Sequence, residues 1–323
     1  MRLWLALLVA CAAAPAQTTQ ESAAEAQEAA PAIEGPDPFL PYLEGHLTAG
    51  FSSPVSGWAS CGAGCWTTRH PGEVRAIADG ELLPSEDGAV RLRVAWLEDQ
   101  QIREITAIYQ GIAPSTPRSV SRGEPLGQAT RLELRLDGTD EPPADFIAAR
   151  PSLFVPQQEP RLALISRQAA ELRIYDHGQP IGRYPVGFGQ VEGDKEVVKD
   201  RRTPLGTYFV VQRSRGPFDG AYAAYYGGIW LRLNYPNAYD AARGVDAGYI
   251  TPEQQKQISQ AWRARKATAK DTHLGGGIGV HAWAYPWDLE GDRLLSWGCV
   301  VVQPDAADAI YSALPEGTMV ILF

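Results

Sequence analysis

The stretch "GIGVHAWAYPWDLEGDRLLSWGCVV", Gly277 to Val301, holds a histidine and a cysteine, residue types that together can make a nucleophile. A free thiol titrates near about pH 8.5, so only a few per cent is thiolate at neutral pH. An imidazole within hydrogen-bond reach takes the proton, keeps an ion pair and pulls the thiol pKa down. Attack of the thiolate on an acyl carbon gives a thioester, and nearby backbone N–H groups stabilise the oxyanion on the way. The local sequence suits Cys299 to that role. Gly298 permits a sharp turn just before it, and the "VVV" run after it reads as a buried strand holding the sulfur at a rigid edge. His281 follows "GIGV", a second apolar strand whose glycines admit close approach of backbone or substrate. The competing reading is an inert cysteine beside a structural histidine, because unpaired cysteine is among the most buried residue types.

The rest of the chain narrows the classes of function. Its 323 residues suggest two domains, with 45% hydrophobic and 21% charged residues as in a globular protein. A net charge of −9 argues against nucleic acid as a partner, since phosphate binding needs a basic surface. No Gly-rich phosphate loop, metal cluster or paired-carboxylate signature stands out, so neither a cofactor nor a metal is expected. The opening "MRLWLALLVACAAAPAQ" reads as an export signal over residues 1–16, its apolar run too short to span a membrane. Within it "LVAC" resembles a lipobox. Two outcomes stay open: a lipid anchor at Cys11, or plain secretion into the periplasm. In an oxidising compartment Cys61 and Cys65, in "SCGAGCW", suit a local disulfide, with a zinc pair as the alternative. Cys299 is then an unpaired thiol in an exported protein.

The elements that must position these residues are mostly strands. Residues 17–45, rich in Ala, Glu, Gln and Pro, read as a disordered tether. Residues 46–150 look all-β: "VRAIADGEL", "AVRLRVAW", "REITAIYQGI" and "TRLELRLDG" alternate or are β-branched. Residues 151–160, "PSLFVPQQEP", read as a linker, and 161–323 as a second domain. Its opening predicts three strands, with Asp176-His177-Gly178 as a turn and His177 solvated at its tip. Thr251, Pro252 and Gln254 mark a helix start over "YITPEQQKQISQAWRARKATAKDTH". Its basic residues Lys256, Arg263, Arg265, Lys266 and Lys270 make either a solvated face or a surface holding an anionic polymer near the site. A short helix, a turn and a strand close the chain. The fold class expected is mainly β with some helix (α+β): a small N-terminal β-barrel or sandwich followed by a β-rich catalytic domain.

Over 161–323 the chain resembles a known family. "GGGIGVHAW" followed by "SWGCVVV" is similar to the catalytic signature of the YkuD-type L,D-transpeptidases. "ELRIYDHGQPIGRYPVGFG", "DRRTPLGTYFV" and "PEGTMVILF" match other parts of it in order, and "LRLNYPNAYDAARG" resembles its YafK-like branch. The resemblance implies Cys299 as nucleophile, His281 as proton acceptor and donor, Ser296 and Gly298 as shapers of the loop, and the Cys299 N–H as oxyanion donor. Trp297 stands where the family more often has histidine. Arg232, Tyr235 and Asn237 are candidates for substrate binding, or else a strand end and Pro turn. Trp283 and Trp297 are candidates for lining a cleft, as are Tyr285 and Trp287, with rim packing as the alternative; His273 reads as a loop residue. The N-terminal "FSSPVSG", "GEVRAIADGEL", "AIYQGI", "VSRGEPLGQAT" and "LELRLDG" resemble the lysostaphin-type (LytM) metallopeptidases. That family's His-x-His would fall on Ala129 and Arg131, and only His70 lies near its first motif. Zinc needs three protein ligands and an open position. The resemblance therefore implies a degenerate, metal-free binding module, against the alternative of an unrelated β-barrel.

The function implied is peptidoglycan L,D-transpeptidation through a cysteine thioester on stem tetrapeptides. It forms 3→3 crosslinks or attaches an amine acceptor from peptidoglycan or an anchored lipoprotein. One alternative is a peptidoglycan hydrolase using the same cysteine. Another is a non-enzymatic wall-binding or activator protein. The implied location is the bacterial periplasm or cell envelope.

Overall fold

Apolar residues recur at every second position along the first long strands, and each such face needs a partner to bury it. The computed structural model describes residues 36–85, 87–289 and 291–323. The expectations for residues 1–16, including a lipid at Cys11, lie outside the described residues, as does most of the 17–45 stretch. In chain order the first elements are α1 (Leu40–Glu44), β1 (Ala59–Gly62), β2 (Cys65–Arg75), β3 (Gly80–Leu83), β4 (Val90–Glu98), β5 (Gln101–Gln110), β6 (Arg118–Val120), β7 (Pro125–Asp137) and α2 (Pro143–Ala149). Then come β8 (Arg161–Ser166), β9 (Glu171–Asp176), β10 (Gln179–Gly189), β11 (Gly206–Arg215), β12 (Tyr226–Leu233), α3 (Ala238–Asp246) and α4 (Pro252–Arg263). The chain ends with β13 (Gly279–Trp283), β14 (Leu294–Ser296), β15 (Val300–Val302), α5 (Ala307–Ala313) and β16 (Met319–Leu322). The fold is mainly β with some helix, as the patterning indicates.

Strands β1 to β7 form one seven-stranded antiparallel sheet in the order β1-β2-β7-β5-β4-β3-β6. On β4, Val90, Leu92, Val94 and Trp96 face inward, and on β7, Leu132, Leu134 and Leu136 do the same. Phe51, Trp96 and Phe146 meet edge to face with ring centroids 4.9 to 5.6 Å apart, binding α2 to the sheet. One expected strand, "VRAIADGEL", is two. β2 ends at Arg75, and the chain turns through Ala76–Asp79, where the Ile77 N–H is tied to the Tyr109 hydroxyl at 2.9 Å. β3 resumes at Gly80, against the Arg93 carbonyl, where a side chain has no room.

The second sheet curls on itself. Its order β14-β10-β15-β13-β12-β11-β16-β8-β9, with an added pairing of β10 to β9, closes eight strands into a barrel and leaves β14 on the flank of β10. Most of its core is aliphatic and fully buried, Val186, Val210, Leu231, Val280, Val300 and Val302 among it. α4 begins as expected. Thr251 Oγ1 accepts from the Gln254 N–H (3.2 Å), and Gln254 Oε1 accepts from the Thr251 N–H (2.9 Å). It stops at Arg263, so Lys256 and Arg263 lie on it while Arg265, Lys266 and Lys270 lie beyond, where Arg265 turns to φ +54.

The segment 151–160 is packed. Phe154 lies edge on to Phe209 and Trp262 (4.9 and 5.1 Å), and Val155 is buried. With Phe39, Tyr42, Leu47 and Leu97 they join Leu162, Leu164, Met319 and Ile321 in a third core, shared by the sheet and the barrel. Arg265 pins this seam to Glu159 at 2.6 Å.

Candidate active site

β13 and β15 run side by side and parallel, pairing Val280 with Val300 and His281 with Val301. That register sets the imidazole on one strand beside the turn from which the next begins. Cys299 is the last residue of this turn. Gly298 before it has φ +126, and a Cβ there would stand 2.7 Å from the Arg202 carbonyl oxygen. Only glycine suits the position. Ser296, buried, ties the turn together: its Oγ accepts from the Gly298 N–H at 3.1 Å and donates to the Cys299 carbonyl at 2.6 Å.

His281 is buried. Its Nδ1 lies 2.8 Å from the Ala282 carbonyl oxygen, which only an Nδ1–H can satisfy as donor. Nε2 therefore carries the lone pair. Tyr226, Trp230 and Trp283 surround the ring at centroid distances of 4.6, 5.9 and 6.0 Å. Burial pushes the imidazole down to about 4, partly offset by the Ala282 bond. Burial also pushes the Cys299 thiol up to about 11, with the Gly279 N–H and the Lys195 ammonium pulling it partly back. As a donor the thiol faces the Gly277 carbonyl oxygen, 3.8 Å away. Loss of water thus works against the resting ion pair expected from the sequence, since it disfavours the charged form of each group.

The two residues lie in a cleft of about 480 Å³. One wall is aromatic: Tyr225 meets Trp297 edge on at 4.6 Å, and Tyr222 and Trp283 flank it at 5.4 and 6.4 Å from Trp297. Facing the cleft as well are Lys195, Lys199 and Arg201 from the segment after β10. Of the residues singled out in the sequence, the structure brings together Cys299, His281, Ser296, Trp283 and Trp297 in the cleft, with Gly298 in the turn beside them.

Others go elsewhere. Tyr235 is fully buried, its hydroxyl donating to the Leu274 carbonyl at 3.2 Å. Asn237 is the buried N-cap of α3, accepting from the Tyr239 and Asp240 N–H groups at 2.8 and 2.9 Å. Arg232 donates to the Thr268 carbonyl at 3.2 Å. None of the three lines the cleft that holds Cys299 and His281; Arg232 and Tyr235 satisfy the carbonyls of residues 268 and 274, and Asn237 caps the first turn of α3, which favours the alternative reading of a strand end and Pro turn. Nor does any residue of 252–270 line the cleft. Tyr285 is exposed, and Trp287 is held by a pair of bonds to Gln303. His273 packs against Tyr249, and His177 stands exposed at its hairpin tip. Cys61 and Cys65 are joined as a disulfide in the β1–β2 hairpin. His70 is an exposed residue of β2.

Sequence reasoning missed Tyr222, Tyr225, Tyr226, Lys195, Lys199 and Arg201. The charge-dense "DKEVVKDRR" is the available signal for the cations; nothing in the sequence aims the tyrosines.

Residues 160–322 match the model of the YkuD family, described as the L,D-transpeptidase catalytic domain. Among curated proteins nothing matches the chain significantly. The Bd1075 structure from Bdellovibrio bacteriovorus is 23% identical over 51% of this chain and 48% of its own, with a TM-score of 0.35. The helical cell shape determining protein Pgp2 from Campylobacter jejuni is 19% identical over 50% of this chain and 46% of its own, TM-score 0.35. An L,D-transpeptidase from Xylanimonas cellulosilytica is 17% identical over 58% of this chain and 72% of its own, TM-score 0.31. The chain spans about half the length of the first two.

Proposed function

The chain belongs to the YkuD family of L,D-transpeptidase catalytic domains, and from that premise we propose that it transfers peptidoglycan stem peptides through a thioester on Cys299. The observation that carries this reading is the 2.8 Å contact of His281 Nδ1 with the Ala282 carbonyl oxygen. With Nδ1–H held by Ala282, Nε2 is free to accept a proton at the cleft that holds the thiol. A donor tetrapeptide places the carbonyl of its third, L-centred residue against Sγ. His281 Nε2 takes the thiol proton as the C–S bond forms. The oxyanion accepts from the Cys299 N–H. As the tetrahedral adduct collapses, His281 returns the proton to the leaving amine, D-alanine departs and the thioester remains. An amine acceptor then attacks the thioester, His281 again moving the proton, to give a 3→3 crosslink or an attached lipoprotein.

Burial that favours the neutral form of each group fits this scheme. The dry ring cage around His281 keeps it a base at neutral pH, and charge separates only once the acyl carbon is in place. The wider reading follows from the same premise. The "LRLNYPNAYDAARG" segment supports membership of the YafK-like branch. The first sheet serves as a metal-free relative of the LytM peptidases that binds the wall, and the opening residues deliver the protein to the envelope, with or without a lipid on Cys11.

The test is intact-mass spectrometry of the protein incubated with a disaccharide-tetrapeptide, beside Cys299→Ala, with the muropeptides analysed in the same run. An adduct on the wild type alone, with 3→3 dimers, is the expected result. An adduct giving only shortened peptides makes it a hydrolase. An absent adduct, with a Cys299 inert to thiol reagents, removes the mechanism and leaves a binding protein.

A further inference from the structure

One short loop puts two unpaired cations into the cleft by an unusual backbone. Lys199 and Arg201 both adopt left-handed φ, +65 and +60. Such values are uncommon for residues with a Cβ and persist only where surroundings impose them. Here the imposing group is Asp200, between them. Its carboxylate accepts from Lys195 Nζ (2.7 Å) and from the N–H groups of Glu196 (2.8 Å), Val197 (3.1 Å) and Arg202 (3.1 Å). Those bonds wind the chain around Asp200 and leave its two neighbours facing outward into the cleft.

The charges in this loop are otherwise matched. Lys195 is neutralised by Asp200, Arg202 pairs with Glu196 at 3.1 Å, and Asp194 pairs with Arg243 at 2.6 Å. Among the described residues Lys199 has no ion pair, and Arg201 makes only a bond to the Gln190 side-chain oxygen at 3.2 Å. Lys199 and Arg201 therefore bring positive charge to the cleft with no carboxylate of their own beside it. They are also close to the chemistry. The Arg201 carbonyl abuts Gly189, the Arg202 carbonyl abuts Gly298, and Val198 abuts Gly275. The loop is thus laid directly against the turn that carries the nucleophile.

We propose that Lys199 and Arg201 form a carboxylate subsite that selects donors whose leaving residue ends in a free α-carboxylate. This rests on the donor reading above. Of the carboxylates in a stem peptide, the terminal one stands one residue from the bond attacked by Cys299, and the cations stand one loop away from it. The subsite favours a terminal residue over an internal one as leaving group, because an amide at that place gives the cations no charge to meet. It is read as selectivity in ground-state binding, separate from the acyl transfer itself.

Binding to the Cys299→Ala protein tests this, followed by the fluorescence of Trp283 and Trp297. The two ligands are the disaccharide-tetrapeptide and the same compound with a C-terminal carboxamide. The acid should bind about tenfold more tightly, the scale of one charge-assisted contact. The ratio should fall to near one in Lys199→Gln/Arg201→Gln and survive in Lys199→Arg/Arg201→Lys, which keeps both charges. Equal affinity for acid and amide overturns the proposal, as does binding of neither, or a ratio that outlasts the double Gln substitution. Wild-type acylation measured alongside judges the donor reading by itself. Acid selectivity without any acyl-enzyme would keep the subsite and remove the transferase.

Discussion

The Ser296 hydroxyl donates to the Cys299 carbonyl at 2.6 Å, closing a loop around the residue that carries the sulfur. The same oxygen accepts from the Gly298 N–H, so one buried side chain holds both sides of the turn. Replacing it leaves a buried donor and a buried acceptor without partners.

Ser296→Ala should therefore destabilise the protein by about 1–3 kcal/mol, the penalty for stranding buried polar groups. It should lower kcat about tenfold or more with little change in KM, because the turn loosens while the cleft walls stay. Ser296→Thr, which restores the hydroxyl, should recover most of the rate. A kcat unchanged in Ser296→Ala would show that the turn holds itself.

Gly298→Ala acts on the same turn through the backbone. A Cβ at φ +126, 2.7 Å from the Arg202 carbonyl, forces strand edge and loop apart. The expected loss is about 1–3 kcal/mol for a residue in so unfavourable a region. Thermal unfolding measures it, and adduct formation at Cys299 should fall in parallel.

The upward shift of the Cys299 thiol predicts sluggish alkylation. With Cys299 pushed up to about 11, its reaction with iodoacetamide should rise about tenfold per pH unit from pH 7 to 10, since only thiolate reacts. A rate already level by pH 7 would mean an ion pair at rest, with the imidazole outweighing the loss of water around the sulfur.

His281 predicts a dependence of stability on pH. Its folded pKa of about 4 lies below the ordinary 6.5, so the unfolded chain binds the proton more readily. Its contribution is fully present above 6.5 and is lost as pH falls from there towards 4. The whole loss amounts to about 3 kcal/mol. Urea midpoints from pH 7.5 to 4 should fall more steeply for the wild type than for His281→Gln. Parallel curves would locate the acid sensitivity elsewhere.

How much of this can be read in advance depends on how local the signal is. That His281 lies on a strand and that Ser296, Gly298 and Cys299 lie at a tight turn is legible because immediate neighbours specify each place; the roles given to them come from the family resemblance. The start of α4 is legible for the same reason, through Thr251 and Gln254. Its end is not, since helix-forming residues continue past Arg263 while Arg265 already turns left-handed. Tyr235 and Asn237 look like ligands in one dimension; only the tertiary fold shows that they cap α3 and satisfy the Leu274 carbonyl. The burial that shifts His281 and Cys299 is hidden from the sequence because it is a property of the assembled barrel and its ring cage. Lys199 and Arg201 are hidden as well, because their aim depends on four bonds to Asp200.

The core shared by Phe39, Tyr42, Leu47 and Leu97 with Leu162, Phe209, Met319 and Ile321 bears on where the chain can be divided. The family match opens at residue 160, yet the surface that shields the barrel's outer leucines is supplied from upstream of it. A cut at that boundary bares Leu162 and Leu164 to water and strips Trp262 of Phe154. The catalytic half is therefore not an interchangeable cassette. A substitution on either side of this seam is felt by both sheets, since neither buries its share of the third core without the other.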